Sequence, residues 1–135
     1  MKKCLVSACL TGLATRYDGT TKLSPSCMQY MQNYLFIPVC PEQLGGLPTP
    51  RTAADITGGN GFDVLKGKAA VVDRSGIDVT AQFVRGAEMA LTIARFHNIT
   101  TCCFKSRSPS CARNGVIGVT AALLLNNGIE VIEFE

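Results

Sequence analysis

The sequence predicts an α/β protein: a small three-layer, mainly parallel sheet with flanking helices, Rossmann-like or flavodoxin-like. Three observations carry that expectation. Short apolar runs of strand length alternate with helical patterns of ten residues or more. The 135 residues, 47% hydrophobic and 17% charged, suffice for one domain, 1–135, with a proper core and are few for two. No stretch offers the roughly 18 uninterrupted apolar residues of a membrane span. Strands joined through helices run parallel by right-handed crossovers, and such sheets bind ligands beyond their carboxyl ends, where strand order reverses.

Taken in order, Lys3 to Ala8 reads as a buried strand. A helix comes next around Ser24 to Asn33, with Ser24 as N-cap and Pro25 in the first helical position. Leu35 to Val39 is the second strand; its Pro38 lies near the end, where a missing donor does least harm. From Cys40 to Phe62, glycines and prolines predict an irregular loop of the length that usually serves function. Ala69 to Val72 reads as a short strand or part of a hairpin. Asp78 to about His97 is the clearest helix, with Phe83, Val84, Ala87, Ala90, Leu91 and Ala94 on one face and Asp78 or Thr80 as its cap. Thr100 to Phe104 is a strand, Gly118 to Asn127 a helix stopped by Gly128, and Ile129 to Phe134 the last strand.

The net charge of +3 is modest and its cations are scattered, so a dedicated nucleic-acid surface is not expected, whereas small anionic ligands are. Val6-Ser7-Ala8-Cys9 behind Met-Lys-Lys resembles a lipoprotein processing box, but only Cys4, Leu5 and Val6 stand where an export signal needs an apolar core of about 7–15 residues. A cytoplasmic protein is the expectation. Seven cysteines, an odd number, argue against a complete disulfide framework. Each is then a buried small hydrophobe, a redox centre or a metal ligand.

Position separates them. Cys4, Cys102 and Cys103 lie within strands and Cys27 on a helix, as packed hydrophobes do. Cys9, Cys40 and Cys111 come after three different strands and so fall at the same edge of the sheet, among polar and charged neighbours. Three thiolates leave a metal centre one open position, as catalysis requires; iron–sulfur ligation suits dispersed cysteines better than zinc, since no Cys-x-x-Cys pair occurs and the one histidine, His97, ends a helix. Packed thiols remain the alternative. Glu42, two residues past Cys40, reads as a general acid or base or as a helix-start carboxylate. Lys105, Arg107 and the adjacent serines read as an anion grip or as loop formers, and Arg16-Tyr17-Asp18-Gly19 as a turn that reaches substrate or simply faces solvent.

The stretches "VSACLTG", "RYDG", "PVCPEQLGGLPTPR", "DVTAQFVRGA", "KSRSPSC" and "GVTAALLLNNGIEV", in this order and over nearly the whole chain, resemble the bacterial family catalogued as domain of unknown function five-two-three, which includes the thiouracil desulfidases. The resemblance implies an oxygen-sensitive four-iron four-sulfur cluster held by three cysteines, with one iron open to take sulfur from a thiolated base. Cys9, Cys40 and Cys111 stand at the ligand positions, Glu42 at that of the catalytic carboxylate, and Ser108 and Ser110 at those of polar partners of cluster or substrate. The implied partner is a small thiolated base; the oligomeric state is left open.

The chain departs from the family pattern after Cys111, where a glycine is usual and Ala112 stands. Only Arg113 to Ile117 separate Ala112 from Gly118, so part of a pocket wall is expected to be missing. Thr15 replaces a common cysteine, at the cost of a thiol and not of a ligand. Two classes of function are expected: a cluster-dependent desulfidase, and a non-catalytic module that binds a small anion or senses redox state.

Overall fold

The computed structural model, residues 1–135, begins with β1 (Lys2–Ser7). The strand ends one residue earlier than its apolar run suggests, because Ala8–Thr11 tighten into a 3-10 turn closed by Gly12 in the left-handed region. α1 (Pro25–Tyr30) starts as the sequence indicates: the Ser24 hydroxyl accepts the Cys27 amide and Pro25 occupies the first turn. A 3-10 turn, Met31–Asn33, leads into β2 (Tyr34–Val39).

The segment beyond β2 corrects the expectation of an irregular loop from Cys40 to Phe62. It contains α2 (Pro41–Leu44), β3 (Ala54–Thr57) and the start of α3 (Gly61–Leu65), and β3 pairs antiparallel with β4 (Ala70–Asp73) as a separate two-stranded sheet. The glycines and prolines punctuate these short elements and do not abolish them. Pro41 begins α2, and Asn60 with Asp63 forms a reciprocal capping box on α3.

The chain is completed by α4 (Thr80–Phe96), β5 (Thr101–Lys105), α5 (Val119–Asn126) and β6 (Glu130–Phe134). The cap of α4 differs from expectation: Val79 holds the N-cap position, and the Asp78 carboxylate accepts the Thr80 amide from one residue further out. At the end of α5, Gly128 takes the left-handed conformation; its amide and that of Ile129 bond the Leu125 and Leu124 carbonyls, closing the helix as expected.

The main sheet has the order β2-β1-β5-β6, all parallel. Pro38 lies on the edge strand β2, where its absent N–H leaves no inner ladder bond unmade. The chain winds outward from β1 to β2, then crosses to β5 and β6, so strand order reverses between β1 and β5. Alternation along the strands supplies two cores. Leu5, Cys102, Phe104 and Val131 pack against α4 and α5; Cys4, Val6 and Cys103 pack against Cys27 and Met31 beside α1. Full burial of Phe83 and Phe104 is worth roughly 2–3 kcal/mol each. No helix is long and apolar enough to cross a membrane.

One contact fixes the placement of α2. A Cβ on Gly45 would lie 1.9 Å from the Gln82 carbonyl oxygen, and one on Gly86 would lie 1.9 Å from that of Pro41. These two glycines let α2 rest backbone-to-backbone on α4, which seats Cys40 and Glu42 against the longest helix of the molecule.

Candidate functional site

A cleft of about 370 Å³ opens at the carboxyl ends of β1, β2 and β5, on the reversal of strand order. Cys9, Cys40 and Cys111 all line it, together with Glu42, Ser108, Ser110, Arg16, Tyr17, Lys105 and Arg107. Asp18 does not: its exposed carboxylate accepts the Thr20 amide and hydroxyl at 3.1 and 2.6 Å and closes the surface turn.

Each thiol reaches the cleft by local backbone logic. Cys9 sits in the 3-10 turn that ends β1, Cys40 in the extended residue that caps α2, and Cys111 in a turn built by Ser108. The Ser108 hydroxyl oxygen accepts the Ser110 and Cys111 amides at 3.2 and 3.0 Å, folding the loop back on itself. Arg107 enters that turn with φ of 56°, a left-handed backbone that arginine rarely adopts. On the far side, a Cβ on Gly118 would meet the Ser110 carbonyl, so α5 presses directly on the loop. Ala112 fits in place of the usual glycine, since its φ is not positive and its side chain is buried. The shortened segment beyond it is held by Glu133, whose carboxylate accepts the Arg113 and Asn114 amides at 2.8 and 3.0 Å.

Burial raises the pKa of all three thiols in the bare chain, that of Cys111 to about 12. Groups that favour the thiolate nevertheless surround each sulfur. Lys105 and Arg16 oppose the rise at Cys9; the Gln43 amide and Arg51 oppose it at Cys40; the Ser7 hydroxyl opposes it at Cys111. Ser7 is well placed for this, because its oxygen accepts the Lys105 amide at 2.9 Å and its proton remains free for the sulfur. The Ser110 hydroxyl, 3.8 Å from Cys111, has its single proton on the Glu42 carboxylate at 3.0 Å instead.

Glu42 is the centre of the polar wall. Its Oε1 accepts the Arg51 Nε–H at 2.8 Å and its Oε2 accepts the Ser110 hydroxyl, which in turn lies 3.1 Å from that of Ser108. The side chains of Arg51 and Glu42 are only 6% and 13% exposed, so this pair operates at low effective dielectric. Around the mouth, Arg16, Lys22 and Arg107 stand close enough to Lys105 to depress its pKa, after burial as the first cause. Arg16 also lies over the Tyr17 ring, 5.9 Å from its centroid.

Two residues of this site carry no signal in the sequence. Ser7 is hidden inside a strand pattern, and Arg51, though it ends the stretch "PVCPEQLGGLPTPR", has no telling spacing, since the fold alone brings it back to Glu42 and Thr15. The other four cysteines do not line the cleft: Cys4, Cys27, Cys102 and Cys103 are fully buried in the same two apolar clusters whose edges carry Cys9 and Cys111.

The donor set fits an iron–sulfur cluster. Three cysteines line the cleft, and each sulfur has thiolate-favouring groups about it, which is the donor chemistry such a cluster takes. No three His, Cys, Asp or Glu side chains gather tightly enough to hold a single metal ion.

Known proteins resemble this chain over nearly its whole length. The 2-thiouracil desulfurase family matches residues 4–135. The uncharacterized protein YbbK of Bacillus subtilis (strain 168) is 41% identical over 140 residues, covering 95% of this chain and 93% of its own. A solved structure, that of the 4Fe-4S-dependent thiouracil desulfidase TudS (DUF523Vcz), superposes with a TM-score of 0.79 at 38% identity, over 98% of this chain and 91% of that one.

Proposed function

This chain belongs to the 2-thiouracil desulfurase family, and on that premise we propose that it removes sulfur from a thiolated nucleobase such as thiouracil and releases hydrosulfide. Cys9, Cys40 and Cys111 hold a four-iron four-sulfur cluster in this reading. The observation that carries it is the convergence of three strand-end cysteines on one cleft beside a buried, hydrogen-bonded carboxylate. The solved relative's dependence on such a cluster supports it.

When bound, the cluster supplies an open iron that acts as a Lewis acid on the substrate's thiocarbonyl sulfur. The chain's own residues do the rest. Glu42 takes one proton from the attacking water and returns it to the departing sulfur, while the second leaves to solvent as the carbonyl forms, so that water and the thiocarbonyl become the carbonyl, hydrosulfide and a proton with no net redox change. Ser110 keeps the Glu42 Oε2 turned into the cleft, and Ser108 orders Ser110 from behind. Arg16, Lys105 and Arg107 attract negative charge on the ring or on the leaving sulfur, and Tyr17 offers a face for the base.

The test is anaerobic reconstitution followed by iron and sulfide analysis, absorption spectroscopy and turnover of thiouracil. Iron, sulfide and uracil formation that Glu42→Ala loses while keeping its iron are the expected result. A protein that takes up neither iron nor sulfide, or a Glu42→Ala variant with full turnover, overturns the proposal. The cationic mouth favours one other reading, a non-catalytic module that binds a small anion or senses redox state; anion binding by a protein that takes up no cluster would select it.

A further inference from the structure

The strongest unassigned feature is the arginine behind Glu42. Its side chain is 6% exposed, and every N–H of its guanidinium has an acceptor. Nε donates to Glu42 Oε1 at 2.8 Å; Nη1 donates to the Thr49 hydroxyl at 2.8 Å and the Pro48 carbonyl at 3.2 Å; Nη2 donates to the Thr15 carbonyl at 3.0 Å and to the Cys40 sulfur at 3.7 Å. The Arg51 amide also donates to the Tyr17 carbonyl at 2.7 Å. One planar group thus touches the proposed proton carrier, a proposed ligand sulfur and the loop that forms the cleft mouth.

We propose that Arg51 is the positioning residue of this site, a rigid fork that holds the Glu42 carboxylate and the Cys40 sulfur in a single hydrogen-bonded frame. The inference rests on the reading of the cleft as a cluster-dependent desulfidase. With Oε1 pinned by Arg51 and Oε2 by Ser110, the carboxylate cannot rotate about its last torsion, so its orientation is set before substrate arrives. The Nη2 donor acts on the other partner. Once Cys40 is a thiolate, an N–H directed at its sulfur draws electron density from the metal–sulfur bond, which sharpens the open iron as a Lewis acid and raises the reduction potential of the cluster. A lysine cannot replace this fork: it keeps the charge but is a point donor without the planar geometry that spans both partners.

The experiment compares wild type with Arg51→Lys after anaerobic reconstitution, measuring iron and sulfide content, the cluster's reduction midpoint, and kcat and KM separately. Arg51→Lys is expected to load iron and sulfide, to shift the midpoint downward, and to lose about 100-fold in kcat with KM changed by less than about threefold, the signature of a misplaced group. A merely structural arginine gives a lower melting temperature with midpoint and kcat unchanged in the loaded protein, and that result overturns the inference. Should Arg51→Lys fail to fold, Thr49→Val removes the shorter of the two Nη1 bonds and loosens the fork; a loss of about 3- to 10-fold in kcat with the same downward shift supports the proposal, and wild-type values for both overturn it. Wild-type protein that takes up no iron or sulfide removes the desulfidase reading and this inference together, whereas loaded, active wild type beside an unaffected Arg51→Lys removes this inference alone.

Discussion

Cys102 and Cys111 are both pushed by burial to about 12 and pack in the same apolar cluster, yet only Cys111 also faces the cleft. Cys102 is surrounded by the core of the sheet; Cys4 and Cys111 raise its pKa further, and only the Leu5 backbone opposes the rise. At Cys111 the hydroxyls of Ser7 and Ser110 oppose the rise, and a cleft lies in front of it. The same contrast divides the remaining thiols. Cys4, Cys27 and Cys103 meet one another behind the sheet, where Cys103 donates to Cys27 and Cys4 and its pKa is driven upward; Cys9 and Cys40 meet cations and an amide. Burial therefore does not separate a packed thiol from a candidate ligand. Cationic or polar neighbours that favour the thiolate, and an open volume beside the sulfur, do.

The sharpest way to break that division is to remove one sulfur from each region. Cys9→Ala, Cys40→Ala or Cys111→Ala is expected to abolish uptake of iron and sulfide, whereas Cys103→Ala keeps uptake and costs roughly 0.5–3 kcal/mol of stability. Equal loss of iron in both sets, by metal analysis, would erase the distinction. The next largest effect falls on the carboxylate: Glu42→Gln should lower desulfidation about 10²- to 10⁴-fold with iron content intact, measured as uracil formed per cluster. It also strips the buried Arg51 of its counter-charge, so the apoprotein should melt at a lower temperature.

Gly86→Ala tests whether the cleft thiols depend on the scaffold differently from the core ones. Its new Cβ meets the Pro41 carbonyl, so α2 must move and carry Cys40 and Glu42 with it; a loss of about 1–3 kcal/mol in denaturant unfolding is expected, with weakened cluster uptake. The smallest effect is in pH. Because folding raises the Cys102 pKa from 9.0 to about 12, the folded chain binds that proton more tightly than the unfolded one. Its stabilising share is complete below about pH 9 and is lost as pH rises through about 12, at up to about 1.4 kcal/mol per pH unit. Cys102→Ala should flatten this alkaline decline in thermal melts; an unchanged slope contradicts the assignment.

The parallel sheet was legible because its causes are local: apolar runs of strand length, the Ser24-Pro25 cap, the periodic face of α4 and the Gly128 stop. Cys9, Cys40 and Cys111 could be assigned to one edge for the same reason, since parallel strands place their carboxyl ends together whatever the side chains are. The hairpin of β3 and β4 was only half visible, as its first strand lies in a segment whose glycines and prolines outweigh four residues of weak alternation. Asp18 and Arg16 share one exposed turn and look alike in sequence, yet only Arg16 reaches the cleft.

By itself the sequence determined the class of fold, the order of its long elements and the strand ends at which three thiols emerge, all properties set by residues within one or two helical turns of each other. The tertiary structure alone decided which groups those thiols meet. Ser7 reaches Lys105 across 98 residues, Ser110 reaches Glu42 across 68, and Arg51 reaches Thr15 across 36. A hydrogen bond needs its partners within a few tenths of an ångström of ideal geometry, and over such separations only the packing of α2 on α4 and of α5 on the Ser108–Cys111 turn brings them that close.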